Sequence, residues 1–240
     1  KEKTGVYLYT CWHVVTGIDP FNPKFTEPPK IYKLKFYSQA VEQRTPTVLA
    51  IGGMHTSIVD LYDSLENLKR PRWLQNLVES PNQDLNAIGL RVPKMHDVVK
   101  IPVQISDQLL HQIAIDQSDF VRVDQSLPYV TEKVIIAGYP YGYSVLGKKQ
   151  PTPVFMSRFV ASNDMQDGRL EFLIDGGCAT AMSGSPVFVE RNGRIVLIGL
   201  YVGEIYPDYI KGKIGRNDRE AAIGRCCNLS MLFNFQDQWG

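Results

Sequence analysis

Asn192-Gly193 stands between two apolar runs, Val187-Phe188-Val189 and Ile195-Val196-Leu197-Ile198-Gly199-Leu200-Tyr201. An Asn-Gly link between such runs selects a tight hairpin turn, because both residues tolerate positive φ and the turn's twist matches that of paired strands. This feature commits the region to antiparallel sheet. The remainder of the chain agrees with it. Residues 5–10, 31–37, 47–51, 56–62, 85–92, 134–140, 154–161, 170–174 and 222–229 are short runs rich in β-branched, aromatic and aliphatic residues. Turn-rich segments separate them, notably 17–30, 64–70, 164–168 and 203–219. Helical spacing is scarce, so the pattern predicts an all-β barrel or sandwich. The polar stretch around 116–130 divides the chain into an N-terminal unit, 1–120, and a C-terminal unit, 121–240. A short helix is expected after the last strand.

Composition excludes more than it assigns. The 240 residues are 44% hydrophobic and 21% charged, ordinary for a globular chain. A formal net charge of +1 offers no electrostatic pull toward nucleic acid or an anionic membrane, and neither partner is expected. No apolar run approaches the length of about 18 residues that a membrane span needs. The opening Lys1-Glu2-Lys3-Thr4 is not a signal peptide. The four cysteines, Cys11, Cys178, Cys226 and Cys227, match neither zinc-ligand spacing nor a dense disulfide framework. They favour a reducing, cytoplasmic setting over secretion after removal of a leader. No metal or cofactor is expected.

Three stretches carry chemistry. Ala181-Met182-Ser183-Gly184-Ser185-Pro186 presents a hydroxyl on a tight turn, since Gly allows close approach and Pro fixes the exit direction. Taken alone it also reads as a polar hairpin turn. Thr10-Cys11-Trp12-His13-Val14-Val15 places a histidine just past a strand, and Asp84-Leu85-Asn86-Ala87-Ile88-Gly89-Leu90 places an acid at the mouth of an apolar run. Taken alone, Asp84 is equally a turn former after Asn82-Gln83. Asp60 and Asp63 are rival acids, but no comparable run follows either. His55, His96 and His111 sit in polar or mixed settings and read as structural.

His, then Asp, then Ser is the chain order of one known solution to acyl transfer. In these three motifs the chain resembles the chymotrypsin-like serine peptidases, above all their bacterial trypsin-like branch. The resemblance implies two six-stranded Greek-key β-barrels with a cleft between them. It also implies a strand-bearing segment upstream of residue 1, because little chain precedes His13. It casts His13 as general base, Asp84 as its orienting acid and Ser183 as nucleophile. The amides of Ala181 and Ser183 become the oxyanion donors. Gly177 and Cys178 fall at the primary substrate pocket, and Tyr201, Val202 and Gly203 on the strand that pairs with a peptide or protein substrate. Cys178 reads equally well as a small buried thiol.

Two departures stand out. Ala181 replaces the usual Gly, and Met182 replaces the acid that pairs with a new N-terminus in zymogen-activated members, so no such activation is expected. No acid falls at the pocket position, which points to a small or medium apolar side chain in the substrate. The leading expectation is a serine endopeptidase. The rival is a catalytically silent, peptide- or partner-binding module, with a cysteine-type relative third.

Overall fold

A computed structural model describes residues 6–18, 31–45, 48–63, 71–75, 97–104, 127–144, 152–163, 171–205 and 222–228. These are mostly strands. In chain order they are β1 (Tyr7–Thr10), the one-turn helix α1 (Trp12–Thr16), β2 (Lys33–Thr45), β3 (Val48–Asp60), β4 (Leu74–Gln75) and β5 (Val99–Pro102). Then come β6 (Lys133–Gly138), β7 (Val154–Ser162), β8 (Glu171–Ile174), β9 (Pro186–Arg191), β10 (Arg194–Ile205) and β11 (Ile223–Asn228).

The last six strands close into a barrel in the order β10-β11-β8-β7-β6-β9. Period-two alternation fills it. Val134 and Ile136, Phe172 and Ile174, Val187 and Val189, and Val196 and Ile198 are all buried in one cluster with Val160 and Cys226. The β9–β10 hairpin turns through Asn192 and Gly193 with φ of 52° and 70°, as the Asn-Gly pair demands. β10 then changes face. Leu197 pairs with Phe188 and Gly199 with Val187, which leaves Ile198 as an extra residue. An extra residue in one strand reverses the inside-outside phase. Tyr201 therefore follows Ile198 into the barrel core, while Leu200 and Val202 turn outward.

The N-terminal part consists of a three-stranded sheet, β1-β5-β4, and the long β2–β3 hairpin. The two short strands expected over 47–51 and 56–62 are one continuous strand, Val48–Asp60. Trp12, Val15, Leu61, Tyr62, Trp73, Val99 and Ile101 form this part's core, with Tyr62 and Trp73 meeting edge-to-face at 5.2 Å. A second closed barrel is not found among the described residues. The expected terminal helix and the 85–92 run lie outside those residues. A third cluster joins the two parts: Cys11 and Val98 pack on Leu200, Val202 and Cys227 of the barrel's outer face.

An ion pair ties the barrel's base together. Arg191 at the end of β9 donates Nε and Nη2 to Glu132 at 2.7 and 2.6 Å, and Tyr129 N–H donates to the same carboxylate. Burial alone would raise Glu132, but Arg191 and that amide hold its carboxyl below the ordinary value. A lowered native pKa means stability that is present above the unfolded value and lost as pH falls through the native one. Glu132→Gln is therefore expected to reduce the fall in stability between pH 6 and about pH 3. Urea midpoints of both proteins across that range check it.

Candidate active site

Local chemistry sets His13 on α1. Trp12 and Val15, three residues apart, bury one side of the turn. Gly17 ends it at φ 70°, donating its N–H to His13 O at 2.9 Å, and Thr16 Oγ1 donates to Trp12 O. His13 is left half-buried at the edge of a cavity.

Its partner is Asp97. Oδ1 accepts the His13 backbone N–H at 2.9 Å, and Oδ2 lies 2.5 Å from Nδ1. The carboxylate is 1% exposed. Strand pairing brings the two together: Thr10 of β1 opposes Val99 of β5, so residues just beyond each meet across 84 positions of chain. A carboxylate only accepts, so this contact calls for the proton on Nδ1, the tautomer in which a neutral ring offers Nε2 as acceptor. Asp84 lies outside the described residues, and the carboxylate on the ring is one the motif reading passed over. Its signal was present, since Asp97 also opens an apolar run, Val98-Val99-Lys100-Ile101.

Ser183 lies in the connection from β8 to β9. Those strands are not neighbours in the barrel, so the connection must cross from one side to another. Met182 anchors it, fully buried in the barrel core. Gly184 seats it against the histidine segment. At φ 86° it donates to Tyr201 O at 2.8 Å, and a Cβ there would stand 2.8 Å from Thr10 Oγ1. Cys11 Sγ donates to the same Tyr201 oxygen. One carbonyl thus links the serine loop, the histidine segment and β10.

Ala181 takes the left-handed conformation, φ 72°, that Gly would hold without strain. Around it Met182 N–H bonds Ala179 O, Ser185 N–H bonds Met182 O, and Tyr141 N–H bonds Thr180 O. Among the described residues, neither the Ala181 nor the Ser183 amide donates to a backbone carbonyl.

One cavity of about 930 Å³ is lined by His13, Asp97, Ala181 and Ser183 together with Gly177, Cys178, Tyr201, Val202 and Gly203. The described residues to which the resemblance gives a catalytic or substrate-binding role therefore all border the same space. Two further charged side chains also line it. Arg158 donates Nε and Nη2 to Gly177 O at 3.3 and 2.9 Å. Glu204 lies so close over Gly177 that a Cβ there would stand 2.2 Å from Oε1. The pocket is charged rather than simply apolar, and no motif spacing pointed to either group.

The cysteines are poor nucleophiles here. Burial pushes the Cys178 thiol up to about 11 and raises Cys11, Cys226 and Cys227 well above the ordinary value. Ligand atoms of Cys11, His13 and Asp97 lie within 4.8 Å of one another. The 2.5 Å between Nδ1 and Oδ2 is a hydrogen-bond length. It is shorter than the roughly 3.3 Å that two donors keep on a tetrahedral zinc ion.

No family model matches this chain, and no curated protein is similar to it.

Proposed function

We propose that the chain is a serine endopeptidase of the chymotrypsin-like kind, with Ser183 as nucleophile, His13 as base and Asp97 as the orienting acid. The observation that carries this is the buried Asp97–His13 couple opening into the cavity that Ser183 also lines. The N-terminal sheet and hairpin stand, in this reading, where the first of two barrels belongs.

The chemistry follows from the groups present. Ser183 Oγ attacks the peptide carbonyl as His13 Nε2 takes its proton. The carbonyl π pair moves onto oxygen, where the Ala181 and Ser183 amides receive it. The C–N bond then breaks, and the imidazolium returns the proton to the leaving amine. Water repeats the sequence on the acyl-enzyme, releasing the acid and restoring the serine. Asp97 holds the ring tautomer and balances the imidazolium charge throughout. The raised thiols disfavour a cysteine nucleophile. In the pocket, the charges of Glu204 and Arg158 suit a polar substrate side chain better than a small apolar one.

A fluorophosphonate probe tests the proposal. The folded protein is expected to take up one label, and Ser183→Ala to lose it while keeping its melting temperature. Labelling that survives Ser183→Ala, or folded protein that takes none, overturns the reading. The second outcome leaves a peptide-binding module.

A further inference from the structure

Arg225 is a fully charged side chain in an unusual place. It is 1% exposed, on the outer face of the barrel strand β11. Alternation puts it on the same face as Cys227, which packs against Cys11 and Val98 in the seam between the two parts. Val98 is the neighbour of Asp97. Across the sheet Arg225 pairs with Gly203, so it lies beside the stretch of β10 that lines the cavity. Glu171 of β8 holds it: Nε to Oε2 at 3.0 Å, Nη2 to Oε1 at 2.6 Å and to Oε2 at 2.8 Å. Burial alone would lower the guanidinium's pKa, but Glu171 and, after it, Asp97 hold it above the ordinary value.

Asp97 has a corresponding need. Both of its hydrogen bonds among the described residues come from His13, the backbone N–H and the ring. A buried carboxylate is costly to keep charged, and a cation nearby reduces that cost. Around Asp97 the charged side chains are Arg225 from β11 and Glu171 from β8, with the His13 ring from α1 on the carboxylate; burial keeps the Cys11 and Cys227 thiols in the same seam neutral.

We propose that Arg225, clamped by Glu171, is a positioning residue: it supplies the buried positive charge that keeps the Asp97–His13 couple assembled. It touches neither substrate nor reacting atoms. The inference rests on the peptidase reading for its rate measurement but not for its spectroscopic one.

The test uses the whole chain and two variants. Arg225→Gln with Glu171→Gln exchanges the ion pair for two amides of similar size that can bond each other. Arg225→Lys keeps the charge and loses the fork. The double variant is expected to slow fluorophosphonate labelling about 10- to 100-fold, the scale for partners that orient a site's primary groups. It is also expected to shift or erase the far-downfield proton resonance of the His13 Nδ1–H bond. Arg225→Lys is expected to retain both the resonance and most of the rate. A folded double variant with the parent's rate and resonance overturns the proposal. So does Arg225→Lys that folds yet loses the resonance, an outcome that decides the matter even if the double variant fails to fold. Wild-type protein that shows the resonance but takes no label counts against the peptidase reading alone.

Discussion

Asp97→Asn is expected to slow fluorophosphonate labelling and peptide hydrolysis by about 10³- to 10⁴-fold while leaving the protein folded. An amide in place of the carboxylate loses the charge that balances the imidazolium and lets the ring take the wrong tautomer; in a well-characterised Ser-His-Asp enzyme that loss is of order 10⁴. Asp84→Asn is the companion variant. With Nδ1 already bonded to Asp97 at 2.5 Å, it is expected to change the rate by no more than a few-fold. Labelling rates of the two variants, measured beside circular dichroism, decide between the acids. The reverse result would return the orienting role to Asp84.

Met182→Ala is expected to destabilise the protein by about 2–5 kcal/mol, the range for truncating a fully buried methionine. Met182 is 0% exposed and belongs to the barrel core, yet it sits between the Ala181 amide and Ser183. Loss of its anchor therefore frees the turn that carries the Ala181 and Ser183 amides, the proposed oxyanion donors. Labelling should fall in the fraction that remains folded. Met182→Leu keeps volume and burial and is expected to cost under about 1.5 kcal/mol. Urea unfolding with labelling at fixed folded fraction checks both. An alanine variant that loses stability but labels at the parent rate would show that the turn holds its shape without this side chain.

The barrel's strands were readable because their causes are local. Val134 and Ile136, Phe172 and Ile174, and Val187 and Val189 alternate at the sheet period, and Asn192-Gly193 leaves the chain one favourable turn. The serine loop was readable for the same reason: Gly184 permits a left-handed turn and Pro186 fixes its own φ wherever the chain goes. The long hairpin was harder, since a strand of 13 residues reads as two when Gly52 and Gly53 interrupt its apolar pattern. The acid was harder still. Asp84 and Asp97 each open an apolar run, and neighbouring residues do not distinguish them.

The amino-acid order by itself determined where the barrel strands alternate, that Asn192-Gly193 turns, and that a histidine and a serine each end up beside a strand. Only the tertiary structure decided which carboxylate meets the imidazole, that Glu204 and Arg158 face the cavity, and that Arg225 lies buried near Asp97. Those meetings depend on strand register and on two extra residues in β10, Ile198 against β9 and Val202 against β11, each of which shifts the faces beyond it. Register is set by the packing of whole sheets against one another, a sum over distant partners that no short stretch of sequence contains.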